Sequence, residues 1–516
     1  MKEIYFSGRK LKGRLLFLLM IASIIRCNAI NERSDTAVVS GQQEKNIIRT
    51  AANITPSARQ LRWQELEFVA FFHFGINTFT NREWGDGKED PALFNPTSLD
   101  AFQWVESCKK AGMKQVILTA KHHDGFCLWP SKFTEHSVKN SPWKGGKGDV
   151  VKEVSEACHK LDMGFGVYLS PWDRNCPFYG DSPKYNDYFV NQLTELLTGY
   201  GRVDEVWFDG ACGEGPNGKK QIYDWERYYK LIRSLQPGAV IAVMGPDVRW
   251  VGTESGCGRE TEWSVLPVNA QSQDQIAASS QKDAIFVPQG DMTKQDLGSR
   301  AVIENATRLI WYPSETDVSI RPGWFYHSSE DGKVKSPEKL LDIYFSSIGR
   351  NSVLLLNIPP DTRGLINEND LKSLFGLKSL IDKIHSVNYA KNATLSSDEG
   401  KIAQITDGDN STYWTTTNEK ETGTITIKLN KPGVIDVLSL QENIRIGQRV
   451  EKFSFEYLDG STWKTITSGT TIGYKRLLRF IPVKAQQFKL KIEASRLNPT
   501  ISELGLYYSK LSDASF

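Results

Sequence analysis

Between residues 61 and 365 the sequence alternates short apolar runs with amphipathic stretches, and this alternation limits the fold more than any other feature. The runs are EFVAFFHFGI (67–76), QVILTAK (115–121), GFGVYLS (164–170), EVWFDG (205–210), AVIAVMG (239–245), DVSIRPGWFY (317–326) and SVLLLNIPP (352–360). A strand with one wet face alternates polar and apolar residues, whereas these runs are nearly continuous, as parallel strands covered on both faces are. Helix-like segments lie between them near 100–111, 149–161, 185–200, 225–235 and 337–348. Asp100 precedes a segment with Phe102, Val105 and Ala111 at helical spacing, and Gly112 stops it; Asp149 opens another that ends before Gly164. Seven or eight such repeats predict an α/β fold of the (β/α)8-like barrel type. One strand, between about 257 and 316, has no clear run, so the barrel is expected to be irregular there.

The flanking segments have different chemistry. Residues 1–29 read as a signal peptide: Lys2, Arg9, Lys10, Lys12 and Arg14 precede the apolar stretch Leu15 to Ile25, and small residues follow at Cys27 and Ala29. The expectation is export, periplasmic or secreted, with lipid anchoring at Cys27 disfavoured by the preceding Arg26. Residues 30–60 read as a linker or N-terminal extension. Residues 366–386 carry Leu371, Leu374, Leu377 and Leu380 at helical spacing and are expected to bridge to a second domain. From 387 to 516 the pattern switches to period two, as in GTITIKL and KFSFEYL, with Gly, Asn and Asp turns; this predicts a C-terminal antiparallel β-sandwich.

Composition excludes some functions. The formal net charge is +2, so there is no basic footprint for nucleic acid. No run after the leader reaches the ~20 apolar residues of a membrane span. Seven cysteines without a C-x-x-C pair support neither a zinc ribbon nor a disulfide scaffold, and free buried thiols are expected.

In such a barrel the loops after the strands converge on one mouth, so chemistry is sought at the strand ends. The first run ends in His73-Phe74-Gly75, the second in Lys121-His122-His123-Asp124-Gly125, the third in Ser170-Pro171-Trp172-Asp173, the fourth in Phe208-Asp209-Gly210, and Trp324 lies in the run 317–326. Three of only seven histidines fall at two of these ends. Asp209 follows an apolar strand, where a charge is costly unless it emerges at the rim or is paired; it suits attack on a sugar carbon, metal binding, or a structural ion pair. A retaining glycosidase needs a second carboxylate ~5–5.5 Å away. Glu254, between Gly252 and Gly256, is the first choice, with Glu262 and then Glu260 behind it. His73, His122, His123, Asp124 and Asp209 could in principle ligate a metal, but neighbouring residues on a strand point to opposite sides and no H-x-H or H-E-x-x-H element is present. Neither metal nor cofactor is expected.

These motifs are recognisable together. Phe72-His73-Phe74-Gly75, Asn77-Thr78-Phe79, Glu83-Trp84, Lys121-His122-His123-Asp124-Gly125-Phe126 and Trp207-Phe208-Asp209-Gly210-Ala211 resemble the α-L-fucosidases of glycoside hydrolase family 29 over about residues 61–365. The resemblance implies a retaining exo-glycosidase that needs no cofactor, with Asp209 as nucleophile and with His73, Glu83, Trp84, His122 and His123 lining the sugar pocket. Arg249-Trp250-Val251-Gly252-x-Glu254-x-Gly256 and Glu260-Thr261-Glu262-Trp263 are similar to the branch acting on α-1,3/1,4-linked fucose of Lewis-type glycans, in which the first Glu is the acid/base. Thr253 stands where Asn is common. Trp324 is the candidate wall for the C6 methyl of fucose, and Trp172 the candidate aglycone platform. The C-terminal domain resembles the galactose-binding-like (discoidin-type) sandwich, most clearly at Asp407-Gly408-x-x-Ser411-Thr412-x-Trp414. The expected partners are therefore fucosylated oligosaccharides or glycoconjugates. The alternatives are a secreted carbohydrate-binding protein without catalysis and a fucosidase of relaxed specificity.

Overall fold

The computed structural model of the protein describes residues 36–38, 44–267, 295–304, 306, 308–399, 402 and 405–511. The expected signal peptide, with Cys27, lies outside the described residues, as does part of the 30–60 extension. Among the described residues no helix is long and apolar enough to cross a membrane.

Eight strands form one parallel sheet that curls into a nearly closed barrel: β1 (Phe68–Phe72), β2 (Gln115–Lys121), β3 (Gly164–Leu169), β4 (Glu205–Phe208), β5 (Val240–Val243), β6 (Arg249–Trp250), β7 (Ser314–Ser319) and β8 (Ser352–Asn357). Their order is β5-β4-β3-β2-β1-β8-β7-β6, and β5 approaches β6 through a parallel bridge between Ala242 and Val248. Every residue of β1, β2, β4, β5, β7 and β8 is buried; β1, β2, β4, β5 and β8 are mainly apolar accordingly, whereas β7 (SETDVS) buries polar side chains. Helices α1 (Ala101–Lys110), α2 (Val150–Lys160), α3 (Ser182–Gly199), α4 (Trp225–Leu235) and α5 (Pro337–Ser346) cover the outside. Asp100, Asp149, Asp224 and Ser336 cap α1, α2, α4 and α5 by accepting from backbone N–H groups, each cap contributing about 1 kcal/mol.

The irregularity expected between 257 and 316 has a specific form. The strand missing from the sequence pattern is β6, and it lies ahead of the stretch where it was expected: it is only two residues long, Arg249–Trp250, and follows β5 after a tight turn instead of a helix. Val243 turns the chain at φ 64°, its N–H donating to Val248 O at 3.0 Å. After Val251 the chain leaves the barrel and builds a small outer antiparallel sheet from 265–267, 308–311 and 36–38. It re-enters at β7, which begins at Ser314, three residues before the 317–326 run, and ends inside that run at Ser319. Pro322, lacking an N–H, could not extend the ladder.

Helix α6 (Glu368–His385) buries Leu374 and Leu377 and leads to the C-terminal domain. There, β9 (Thr394–Ser397), β10 (Trp414–Thr415), β11 (Gly423–Glu442), β12 (Val450–Asp459), β13 (Thr462–Gly469), β14 (Arg476–Ser495) and β15 (Thr500–Tyr507) pair antiparallel in the order β10-β15-β11-β14-β12-β13, with β9 on β11. Register shifts bend the long strands β11 and β14, so that the sheet wraps a core containing Trp414, Phe453, Phe455 and Phe488. Cys108, Cys127, Cys158 and Cys176 are buried free thiols, while Cys212 is half-buried and Cys257 exposed.

Candidate active site

The carboxyl ends of the strands bring nine sequence-predicted residues into one continuous cluster. Asp209 leaves β4 as the chain turns. Its Oδ1 accepts from Ala211 N–H at 2.7 Å and its Oδ2 from the Tyr168 hydroxyl at 3.1 Å. His123 Nε2 stands 3.8 Å from the same Oδ2. The His123 ring contacts the rings of His122, Trp84 and Trp172 at 4.1, 5.1 and 5.4 Å between centroids. His122 in turn lies 5.7 Å from His73, and His73 lies 5.0 Å from Trp324. Trp324 Nε1 donates to Glu254 Oε2 at 3.2 Å, so Glu254 and Asp209 belong to the same mouth.

Two histidines have their tautomers fixed by their partners. The Asn357 side chain donates through Nδ2 to Ser319 Oγ and Trp324 O, so its Oδ1 is the atom that accepts from His73 N–H and from His73 Nδ1 at 2.9 Å. His73 Nδ1 therefore carries the proton, and Nε2 offers a lone pair to a hydroxyl of a ligand. Ser170 Oγ donates to Trp172 O and accepts from His123 Nδ1 at 2.8 Å, which leaves Nε2 of that ring as the acceptor beside Asp209. His122 Nδ1 is buried without a hydrogen-bond partner, 3.9 Å from Asp124 Oδ2. Burial keeps all three rings neutral: it holds His73 down to about 3, pushes His122 well below its ordinary value, and lowers His123 despite the nearby Asp209 charge. Neutral imidazoles accept and donate toward sugar hydroxyls without adding charge to the pocket.

The sequence reading placed His122 and His123 on opposite sides of a strand. The strand ends at Lys121, where its pairing with β3 already shifts register, so the alternation rule no longer applies. Both rings face the mouth. Glu83 is more than a pocket liner: its carboxylate accepts from Trp324 N–H at 2.8 Å, from Phe325 N–H at 3.2 Å and binds His327 Nε2 at 2.6 Å. A Cβ on Gly323 would come within 2.5 Å of Glu83 Oε1, so glycine there lets the carboxylate reach the backbone. Trp84 is half exposed and meets Trp172 edge to face at 5.6 Å; together they form an aromatic rim.

Glu254 sits at the tip of its loop, facing the cleft. Loss of water raises its carboxyl above the usual 4.5, and the charges of Asp209 and Glu83 push the same way, with the Trp324 N–H opposing. Glu262 and Glu260 stand outside the cluster. Glu262 is buried against Arg249 and Arg259, and Glu260 is bound by Arg350 and Arg476. Among the described residues no group of His, Cys, Asp and Glu is arranged to hold a metal ion.

Tyr168 and Asn357 are not singled out by the sequence reading, and Ser170 appears there only as part of a strand end, with no role. The only signal for them was a polar atom near the end of an otherwise apolar run, in GFGVYLS and SVLLLN.

A barrel mouth with two carboxyl groups in different electrostatic settings, ringed by neutral imidazoles and indoles, is the arrangement of a glycoside hydrolase. The sequence pattern of the family described as alpha-L-fucosidase matches residues 88–380, and that of the F5/8 type C domain matches 389–504. The chain belongs to the α-L-fucosidases of glycoside hydrolase family 29, with a discoidin-type C-terminal domain, and is a fucoside-hydrolysing enzyme. It is 42% identical over 473 residues to Alpha-L-fucosidase 1 of Arabidopsis thaliana, covering 89% of this chain and 88% of that one. A crystal structure from Bacteroides ovatus, given as a candidate α-L-fucosidase, is 52% identical with a TM-score of 0.82, covering 93% of this chain and 78% of that one. A Ruminococcus gnavus family 29 fucosidase in complex with fucose is 33% identical with a TM-score of 0.77, covering 90% and 96%.

Proposed function

We propose that the enzyme removes terminal α-L-fucose with retention of configuration, with Asp209 as nucleophile and Glu254 as acid/base, and that its natural substrates carry fucose linked α-1,3 or α-1,4 on Lewis-type glycans. The observation that carries this reading is the unequal setting of the two carboxyls. Asp209 is held by a hydroxyl and a backbone N–H that aim its oxygens, whereas Glu254 stands exposed at its loop tip, held by the Trp324 N–H alone among the described bonds, with its carboxyl raised by partial loss of water and by the Asp209 and Glu83 charges. Asp209 attacks the anomeric carbon as Glu254 gives its proton to the leaving oxygen; the C–O bond to the aglycone breaks and a fucosyl ester forms. Water, deprotonated by Glu254, then cleaves the ester and restores both groups. His73 Nε2, His122 and His123 Nε2 bind the sugar hydroxyls, Trp324 covers the C6 methyl, and the Trp84–Trp172 rim receives the aglycone. The fucose complex of the related R. gnavus enzyme supports a fucose pocket at this mouth. The α-1,3/1,4 preference rests on the segment Arg249 to Glu254 and its likeness to that branch, and export rests on the basic and apolar pattern of residues 1–29.

The test is a slow 2-fluoro-fucoside followed by peptide mass mapping, which is expected to label Asp209. Asp209→Ala should lose at least about 10³-fold in kcat/KM; activity within about tenfold of wild type, or a label on another carboxylate, defeats the assignment. A Lewis-type trisaccharide and an α-1,2-linked fucoside assayed side by side test the linkage.

A further inference from the structure

Glu254 stands on a loop whose tip is held by little. Gly252 and Gly256 both take positive φ, and the one hydrogen bond described for the Glu254 side chain is that from Trp324 Nε1. The placement of the loop is decided at its two feet. At the first, Arg249 on β6 is fully buried and Val251 N–H donates to Glu315 O at 2.8 Å. At the second, Gly258 N–H donates to Ser346 O at 2.7 Å and Arg259 Nη2 donates back to Val251 O at 2.7 Å. One carboxylate joins the feet: Glu262, 1% exposed, binds Arg249 Nη2 on Oε1 and Arg259 Nη1 on Oε2, the latter at 3.2 Å.

Glu262 is itself held from the C-terminal domain. Its N–H donates to Thr471 Oγ1 at 3.0 Å, and its carbonyl accepts from Gln448 Nε2 at 2.9 Å. Gln448 Oε1 also takes Ser264 N–H at 2.7 Å, and Arg476 donates to Glu260 O at 2.8 Å. Gln448 and Thr471 are buried, so these bonds form without competing water.

We propose that Glu262 is a positioning residue for Glu254, and that the C-terminal domain, through Gln448 and Thr471, sets where the proton donor stands over the leaving oxygen. The proposal rests on the reading of Glu254 as acid/base. A buried carboxylate shared by two guanidiniums has its geometry fixed on both sides, and proton transfer loses rate steeply when donor and acceptor are displaced. The domain is thus part of how the barrel performs its chemistry, whether or not it binds sugar.

The test uses the full chain and α-L-fucosides of graded leaving-group acidity, from dinitrophenyl to alkyl, with a Lewis-type trisaccharide. A dinitrophenolate leaves without a proton, so a displaced donor harms only the poor leaving groups. Thr471→Val and Gln448→Met should lose about tenfold or more in kcat/KM on alkyl fucoside and trisaccharide, and stay within about threefold on the dinitrophenyl fucoside. Thr471→Ser, which keeps the accepting oxygen, should restore the wild-type pattern. Glu262→Gln should show the same selectivity more strongly; because it leaves two buried guanidiniums under-paired and can impair folding, the domain-side variants carry the test. Equal losses across all leaving groups, or none, overturn the proposal when Glu254→Ala shows the selective loss. If Glu254→Ala itself shows no selectivity, the acid/base reading fails and the proposal with it.

Discussion

Asn357 decides what His73 can do. Because its amide nitrogen is committed to Ser319 and Trp324, it presents only oxygen to the imidazole, and His73 Nε2 faces the pocket as an acceptor. In Asn357→Asp a full negative charge beside Nδ1 would favour the protonated ring, raising a group that burial now holds down to about 3. Nε2 would then donate instead of accept. The expected result is a fall of about 10–100-fold in kcat/KM at neutral pH, mostly through KM, with partial recovery as the pH rises and the ring loses its proton. Unchanged kinetics would show that His73 does not accept from the sugar. At this scale the sequence was readable where a residue's chemistry announces itself: a charge after EVWF, or histidines at two adjacent strand ends. Asn357 was not, since a neutral amide at the end of an apolar strand acquires its role only from the ring it meets 284 positions earlier in the chain.

Elements repeat the pattern. Strands buried on both faces leave unbroken apolar runs, and helices that begin on an aspartate leave a cap, so most of the barrel could be read from the sequence. The two-residue β6 could not, because a strand held by neighbours on one edge needs no run of its own. The segment that replaces its helix carries the Glu254 loop, and the loop after β4 carries Asp209. Their encounter has a consequence for pH. The Glu254 carboxyl lies above its ordinary 4.5, partly because Asp209 is negative. The acid form therefore survives above the usual carboxylate range, and activity that needs it is present below that raised value and lost as pH rises through it. In Asp209→Asn the neighbouring charge is gone, and the Glu254 titration should move down, measured by ¹³C NMR of the side-chain carboxyl. A midpoint that does not move would mean the two loops do not share a field.

On the scale of the molecule, the barrel interior holds a carboxyl pair that no local pattern could reveal. Glu205 opens β4 and Glu315 lies on β7; both are fully buried, and the charge of Glu205 acts on Glu315. Trp63 and Gln115 donate to Glu205 Oε2, and Trp207 donates to Glu315 Oε1 at 2.7 Å. The remaining oxygens, Glu205 Oε1 and Glu315 Oε2, are buried without a hydrogen-bond partner. Burial raises both carboxyls, Glu205 to about 8, and the charge of Glu205 raises Glu315 further, so the pair keeps a proton in the folded barrel. The sign for stability follows. The folded state keeps a proton that the unfolded chain releases near 4.5, so the contribution is complete below that pH and is lost as pH rises toward 8. Glu315→Gln changes this without changing shape: its carbonyl oxygen still accepts from Trp207, and its neutral amide removes one of the two acids, so no proton need be retained at this position. Thermal denaturation of the two proteins at pH 5 and pH 8 should show the wild type losing stability across the interval and the variant losing less, with the variant the more stable at pH 8. Parallel curves would mean that the pair holds no proton, and that the barrel carries two ionised carboxylates in contact, an arrangement whose repulsion in so dry an interior nothing around it could offset.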